Sequence, residues 1–166
     1  MITKNLKKKL ILGTAQIGDP YGFNNPKKIK IPTLSIKKLL DYAQLSNLNH
    51  LDTAESYNVK KTFFKKKKWI IDTKIRVENG TQTFSSITKK LNFFFKRPNI
   101  SVETIYIHNP EKLLTKNGKD LFSILKQMKK RKLIKNIGIS VYDTIITKKI
   151  IKLYNIDVIQ LPYNIF

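Results

Sequence analysis

Residues 49–58, NHLDTAESYN, decide how the chain is read. A short apolar run stops at a carboxylate, Asp52, and a phenol, Tyr57, follows five residues later. Asp-Thr-Ala alone reads more readily as a plain helix start, with Asp52 capping the amides of the next turn. Two later apolar runs change the balance, because WIIDTK stops at Lys74 and TIYIH stops at His108. In a barrel of parallel strands, side chains at the carboxyl ends of successive strands share one mouth. An acid, a phenol, an amine and an imidazole are therefore expected to converge.

Outward from that stretch, strands and helices alternate, the pattern of βα units on a parallel sheet. Strands are expected at residues 9–12, 48–52, 69–74, 104–108, 137–140 and 157–160. A Gly-, Asp-, Pro- and Asn-rich loop, 13–32, leads to a helix capped by Thr33 or Ser35, with Leu39, Leu40, Ala43 and Leu48 on one face. Only 16 residues separate Asp52 from Trp69, little more than a parallel crossover needs, so the helix at 59–64 is shortened. A helix at 84–95 turns Ile87, Leu91, Phe94 and Phe95 inward, another is expected at 144–153, and 119–131 is the clearest, with Leu121, Ile124, Leu125 and Met128 at helical spacing. Six strands in 166 residues, against about 250 residues for an eight-stranded barrel, predict one α/β domain over 1–166. That domain is an incomplete (βα) TIM-type barrel whose C-terminal strands are missing.

Composition narrows the classes. The chain has no cysteine, which excludes a disulfide framework and a thiolate metal site, and no metal is expected. No apolar run approaches the ~20 residues that cross a bilayer, and none fits a secretory signal, so a cytoplasmic protein without membrane contact is expected. The net charge of +22 is the usual flag for a nucleic-acid partner. Three of the 33 basic residues, Arg76, Arg97 and Arg131, are arginine, and the other 30 are lysine. Base readout and bidentate phosphate contacts favour the planar guanidinium. The lysine excess therefore reads as compositional bias, with KKK at 7–9 and KKKK at 65–68 as solvated turns, and no specific nucleic acid is expected.

In order along the chain, ILGTAQIG, LDTAESYN, IIDTK, IYIHNP, NIGIS and DVIQLPYNIF resemble the successive strand ends of the aldo-keto reductases, eight-stranded barrels that use NADPH. The likeness runs the whole length of the chain but reaches only about the first six strands of that fold. It implies a catalytic tetrad of Asp52, Tyr57, Lys74 and His108. It also implies that Ser140 and Gln160 hold the nicotinamide carboxamide and that Thr14 lies in the loop lining the cofactor. Where the family often has Asn after the serine, this chain has Val141. The family's adenosine-phosphate site belongs to the seventh and eighth strands, which the likeness does not reach.

The chemistry explains the grouping. Carbonyl reduction needs a hydride on carbon and a proton on oxygen, and a phenol with an ordinary pKa of ~10 is a weak acid at neutral pH. An ammonium beside it favours the phenolate, the role implied for Lys74, with Asp52 holding Lys74 charged and His108 donating to the carbonyl oxygen. His50 has no such context and reads as structural. Reduction of a small carbonyl compound is the leading expectation. A catalytically silent or partner-dependent half-barrel, associating through its open strand edges with itself or a complementing chain, and a basic nucleic-acid module stay as alternatives.

Overall fold

In the computed structural model of the chain, residues 10–22, 25–64, 67–78 and 82–163 are described. Each strand is followed by a helical or loop crossover, so all six strands run parallel and pair in sequence order, β1 to β6. The strands are β1 (Leu12–Gly13), β2 (His50–Asp52), β3 (Trp69–Ile75), β4 (Ile100–Ile107), β5 (Asn136–Ser140) and β6 (Val158–Gln160). The helices are α1 (Ala15–Gly18), α2 (Thr33–Leu45), α3 (Phe84–Phe95), α4 (Gly118–Lys130) and α5 (Thr144–Leu153). Two 3₁₀ helices, Lys61–Phe64 and Pro110–Leu114, complete the described elements. This is the expected incomplete (βα) barrel of six parallel strands.

Alternation along each strand separates two environments. Leu51, Ile71, Ile75, Ile105, Ile107, Ile137 and Ile139 meet the helices through Ile36, Leu40, Ile87, Leu91, Leu125, Met128 and Ile150, forming one core. The opposite face carries His50, Asp52, Asp72, Lys74, Thr104, Tyr106 and Ser140, and it is polar. The helix starts follow capping chemistry: Thr83 and Ser86 form a reciprocal capping box on α3, and Asp143 accepts from the Ile145 and Ile146 amides on α5.

Several boundaries differ from the sequence reading. Thr33 lies inside α2, Pro32 occupies the cap position, and no side chain caps that helix. Its buried face is Ile36, Leu40 and Ala43, while Leu39 is exposed and Leu48 lies past the helix end. β4 begins at Ile100, four residues before the expected start, because Ser101 and Glu103 sit at the polar beginning of the strand and mask its periodicity. The second crossover is indeed short, and among its described residues the helical element is the 3₁₀ turn Lys61–Phe64. Lys9 of the expected first strand, the 7–9 lysine run, and Lys65 and Lys66 of the second run lie outside the described residues. Lys67 pairs with Asp41 at 2.5 Å.

Candidate active site

The loop after β2 is placed by continuing the β2–β3 ladder beyond the strand end. The Thr53 amide donates to the Asp72 carbonyl at 2.8 Å and the Glu55 amide to the Lys74 carbonyl at 3.1 Å. The Tyr57 amide then closes a turn on the Ala54 carbonyl. From the β1 side, Asn58 Nδ2 donates to Asp19 Oδ2 at 2.7 Å, and Gly18 sits so close that an added Cβ would fall 2.7 Å from the Asn58 carbonyl carbon. Tyr57 is thus held between the first and third strand ends although no full helix follows it.

Asp52, Tyr57, Lys74 and His108 line one cleft of about 590 Å³, together with Ser140, Gln160, Tyr21 and Tyr142. Lys74 Nζ donates to both carboxylate oxygens of Asp52, at 2.5 and 2.6 Å. The Lys74 side chain is 6% exposed and that of Asp52 21%, so the pair is a partly buried, charge-assisted contact. The same ammonium lies 5.8 Å from the Tyr57 ring centre and 5.9 Å from that of Tyr106. Ser140 and Gln160 are register partners at the ends of β5 and β6. Thr14 is fully buried and is not among the cleft-lining residues. Its hydroxyl and its amide both donate to the Asp52 carbonyl, at 3.0 and 2.9 Å, which fixes the end of β2 from behind.

The electrostatics depart from one expectation. Tyr57 is pushed above its ordinary 10.0 by burial first, then by the Asp52 carboxylate and the neighbouring phenols Tyr21 and Tyr142. Among the described residues no hydrogen bond joins its hydroxyl to Lys74. The phenol therefore holds its proton at neutral pH, with burial as the largest cause. His108 moves the other way, below its ordinary 6.5, through burial and the nearby Lys74 and Arg76 cations. Its imidazole is neutral at neutral pH and keeps one N–H to donate.

A polar layer lies beneath the cleft. Asp72, almost fully buried, has Oδ1 3.2 Å from His50 Nε2, although the angles do not make a hydrogen bond. Tyr106 is pushed up to about 12 by burial and by Asp72 and Asp52, against a Thr104 hydrogen bond that lowers it. Its ring covers Gly138, where a Cβ would approach it to 2.4 Å.

Three contributors escaped the sequence reading. Tyr21 and Tyr142 sit in loops without a strand-end signature. Asn109, beside His108, uses its amide as a surrogate backbone: Oδ1 accepts from the Val77 amide at 2.9 Å and Nδ2 donates to the Val77 carbonyl at 2.6 Å. The His108 amide also donates to the Ile75 carbonyl at 2.9 Å. These bonds tie the His108 loop to the strand that carries Lys74. Among the described residues no group of three or more His, Asp or Glu is placed to hold a metal ion, and no helix is long and apolar enough to cross a membrane.

With this geometry in place, comparison with known proteins is specific. The sequence profile described as the Aldo/keto reductase family matches residues 9–166. Among solved structures, a putative aldo-keto reductase from Pseudomonas aeruginosa superposes with a TM-score of 0.66 at 20% identity, covering 93% of this chain and 62% of that one. The holo form of an aldo-keto reductase from Bacillus halodurans gives 0.66 at 19% identity, covering 93% and 53%. An aldose reductase from Giardia lamblia gives 0.60 at 14% identity, covering 92% and 56%. At these identities the likeness shows the fold, and the chain spans less than two thirds of each of those structures. A search of curated proteins returned no match.

Proposed function

Because the chain belongs to the aldo/keto reductase family, we propose that its cleft reduces the carbonyl of a small molecule to an alcohol, with NADPH as reductant. The observation that carries this reading is the Asp52–Lys74 pair at 2.5–2.6 Å in one cleft with Tyr57 and His108. When bound, NADPH supplies a hydride to the carbonyl carbon. The remaining work belongs to the chain's own residues. His108, neutral and tied down through Asn109, donates a hydrogen bond to the carbonyl oxygen. Tyr57, protonated because burial and Asp52 hold its pKa high, is the proton donor to that oxygen as negative charge develops there. Lys74, paired with Asp52 and 5.8 Å from the Tyr57 ring centre, is the cation that favours the phenolate left behind.

The cleft fits the nicotinamide end of such a cofactor. Ser140 and Gln160 present a hydroxyl and an amide side by side at its wall, the donor and acceptor types that a carboxamide needs. Thr14 contributes from behind by fixing the Asp52 carbonyl. Lys74 is the one lysine lining the cleft, and it is paired with Asp52, so the cleft's described residues offer no cation free for the cofactor's phosphates. We accordingly propose that the 166 residues alone hold NADPH weakly. A cytoplasmic setting and the absence of a sequence-specific nucleic-acid partner complete this reading.

A specific observation favours a partner-dependent form. Among the described residues β1 and β6 each pair on one side only, and Leu10, Ile11, Leu161 and Tyr163 beside those edges are exposed. Parallel edges left unpaired invite association, with a second copy or with a chain that completes the barrel. The test is an NADPH fluorescence titration of the purified chain, alone and with strands seven and eight of a relative supplied as an extension or a second fragment. The expected result is weak binding alone and tight binding once those strands are present. Tight binding by the chain alone would show that the cofactor's main contacts lie elsewhere, and no gain on completion would overturn the reductase reading.

A further inference from the structure

A second cavity, of about 520 Å³, lies at the opposite end of the sheet from the cleft, where α3 runs into the turn before β4. It is lined by Lys89, Lys90, Asn92, Phe93, Lys96 and Arg97, with Pro98 and Asn99 at the turn, and no carboxylate is among them. Lys89, Asn92, Phe93 and Lys96 follow the three-, four- and seven-residue spacing that places them on one face of α3. Lys90 is committed elsewhere, to the Arg76 carbonyl at 3.2 Å and to Glu55 at 3.7 Å. Lys89 and Lys96 are exposed, and among the described residues neither pairs with a carboxylate.

Arg97 sets this cavity apart from a chance gathering of lysines. The lysine bias of the chain accounts for lysines anywhere, but arginine occurs at only three positions, and one of them is here. Its guanidinium carbon lies 4.5 Å from the Phe93 ring centre, so the fork sits over an aromatic face. Its Nε is buried and, among the described residues, lacks a hydrogen-bond partner. The turn that carries it is rigid, because Asn99 Nδ2 donates to the Phe64 and Lys67 carbonyls, each at 2.7 Å. A guanidinium seated on Phe93, two ammonium groups without a carboxylate partner among the described residues and the Asn92 amide form a site for a multiply charged, oxygen-rich anion.

We propose that this cavity binds a diphosphate group, carried by a nucleotide or present as inorganic pyrophosphate, at a place separate from the carbonyl-reducing cleft. One phosphate, with a charge of about −2 at most, leaves one of the three cations, Lys89, Lys96 and Arg97, without a counter-charge, and the cavity volume admits a second phosphate.

The chain contains a reporter, since its single tryptophan, Trp69, donates its amide to the Asn99 carbonyl at 2.9 Å. The experiment is a titration of the purified chain with inorganic pyrophosphate and, separately, ADP, followed by tryptophan fluorescence and calorimetry at physiological salt. Saturable binding at one site is expected, at least tenfold weaker in Arg97→Leu and several-fold weaker in Arg97→Lys, which keeps the charge and loses the fork. Lys89→Ala/Lys96→Ala is expected to weaken it as well and serves if Arg97→Leu does not fold. Lys37→Ala/Lys38→Ala, on the exposed face of α2, is expected to leave it unchanged. Equal affinity for the two ligands assigns the site to the phosphates alone, and tighter ADP binding adds a held base; both support the proposal. Non-saturable binding, or equal loss in the α2 variant, would reduce it to diffuse positive charge and overturn it.

Discussion

Lys74 and Asp52 share one contact but not one environment, and their variants should differ accordingly. Asp52→Asn leaves an ammonium that is 6% exposed without its counter-ion, and an expected loss of about 3 kcal/mol follows in urea unfolding. Lys74→Met replaces the ammonium with an apolar chain of similar length and leaves a carboxylate that still reaches water, so a smaller loss of about 1 kcal/mol is expected. The opposite order would mean that Asp52, not Lys74, is the poorly solvated partner. His108 gives a pH signature. Its folded pKa lies below its unfolded 6.5, so the native state binds fewer protons, and its contribution to stability is present above 6.5 and lost as pH falls through the folded value. An NMR titration should place the His108 midpoint below 6.5, and Lys74→Met should raise it by removing the nearest cation. An unmoved midpoint would leave burial and Arg76 as the causes of the shift. At this scale the meeting of Asp52, Tyr57, Lys74 and His108 in one cleft was legible because strand ends mark these positions in the sequence. The upward shift of Tyr57 was not, since its largest cause is burial, and the nearby Tyr21 and Tyr142 sit in loops without a strand-end signature.

At the scale of elements, two close approaches hold the site's geometry. Gly138 on β5 leaves room for the Tyr106 ring of β4, and a Cβ there would lie 2.4 Å from that ring. Gly138→Ala is therefore expected to cost about 1–3 kcal/mol as Tyr106 is displaced. The tyrosine signal in near-ultraviolet circular dichroism should change with it, whereas an unchanged signal and full stability would show that the ring moves freely. Asn109→Ala removes both partners of the Val77 backbone, with an expected cost of about 1–3 kcal/mol and broadening of the His108 imidazole resonances. Sharp resonances would separate Asn109 from His108 positioning. The order and parallel direction of the strands were readable from alternating apolar runs and helical spacing. The early start of β4 was not, because polar Ser101 and Glu103 interrupt the pattern, and neither was Asn109, whose side chain imitates a backbone that no periodicity reveals.

For the whole molecule, the six-stranded sheet sets what the cleft can achieve. All four proposed catalytic side chains come from β2, β3, β4 and the loops following them, so the reacting end of the site is contained in these residues. Positioning of a reductant depends also on contacts remote from the reacting carbon, and these raise the rate because they hold the reactants in register. The relatives that superpose on this chain are longer, and the chain spans 53–62% of the three compared here. The most direct measurement is carbonyl-dependent NADPH oxidation by the chain completed with strands seven and eight, wild type beside Tyr57→Phe, over a panel of small aldehydes and ketones. The account predicts turnover by the wild type. It also predicts a loss of about 100-fold or more in kcat for Tyr57→Phe, the scale of a general acid, with NADPH affinity retained. Equal turnover by the two proteins would contradict it.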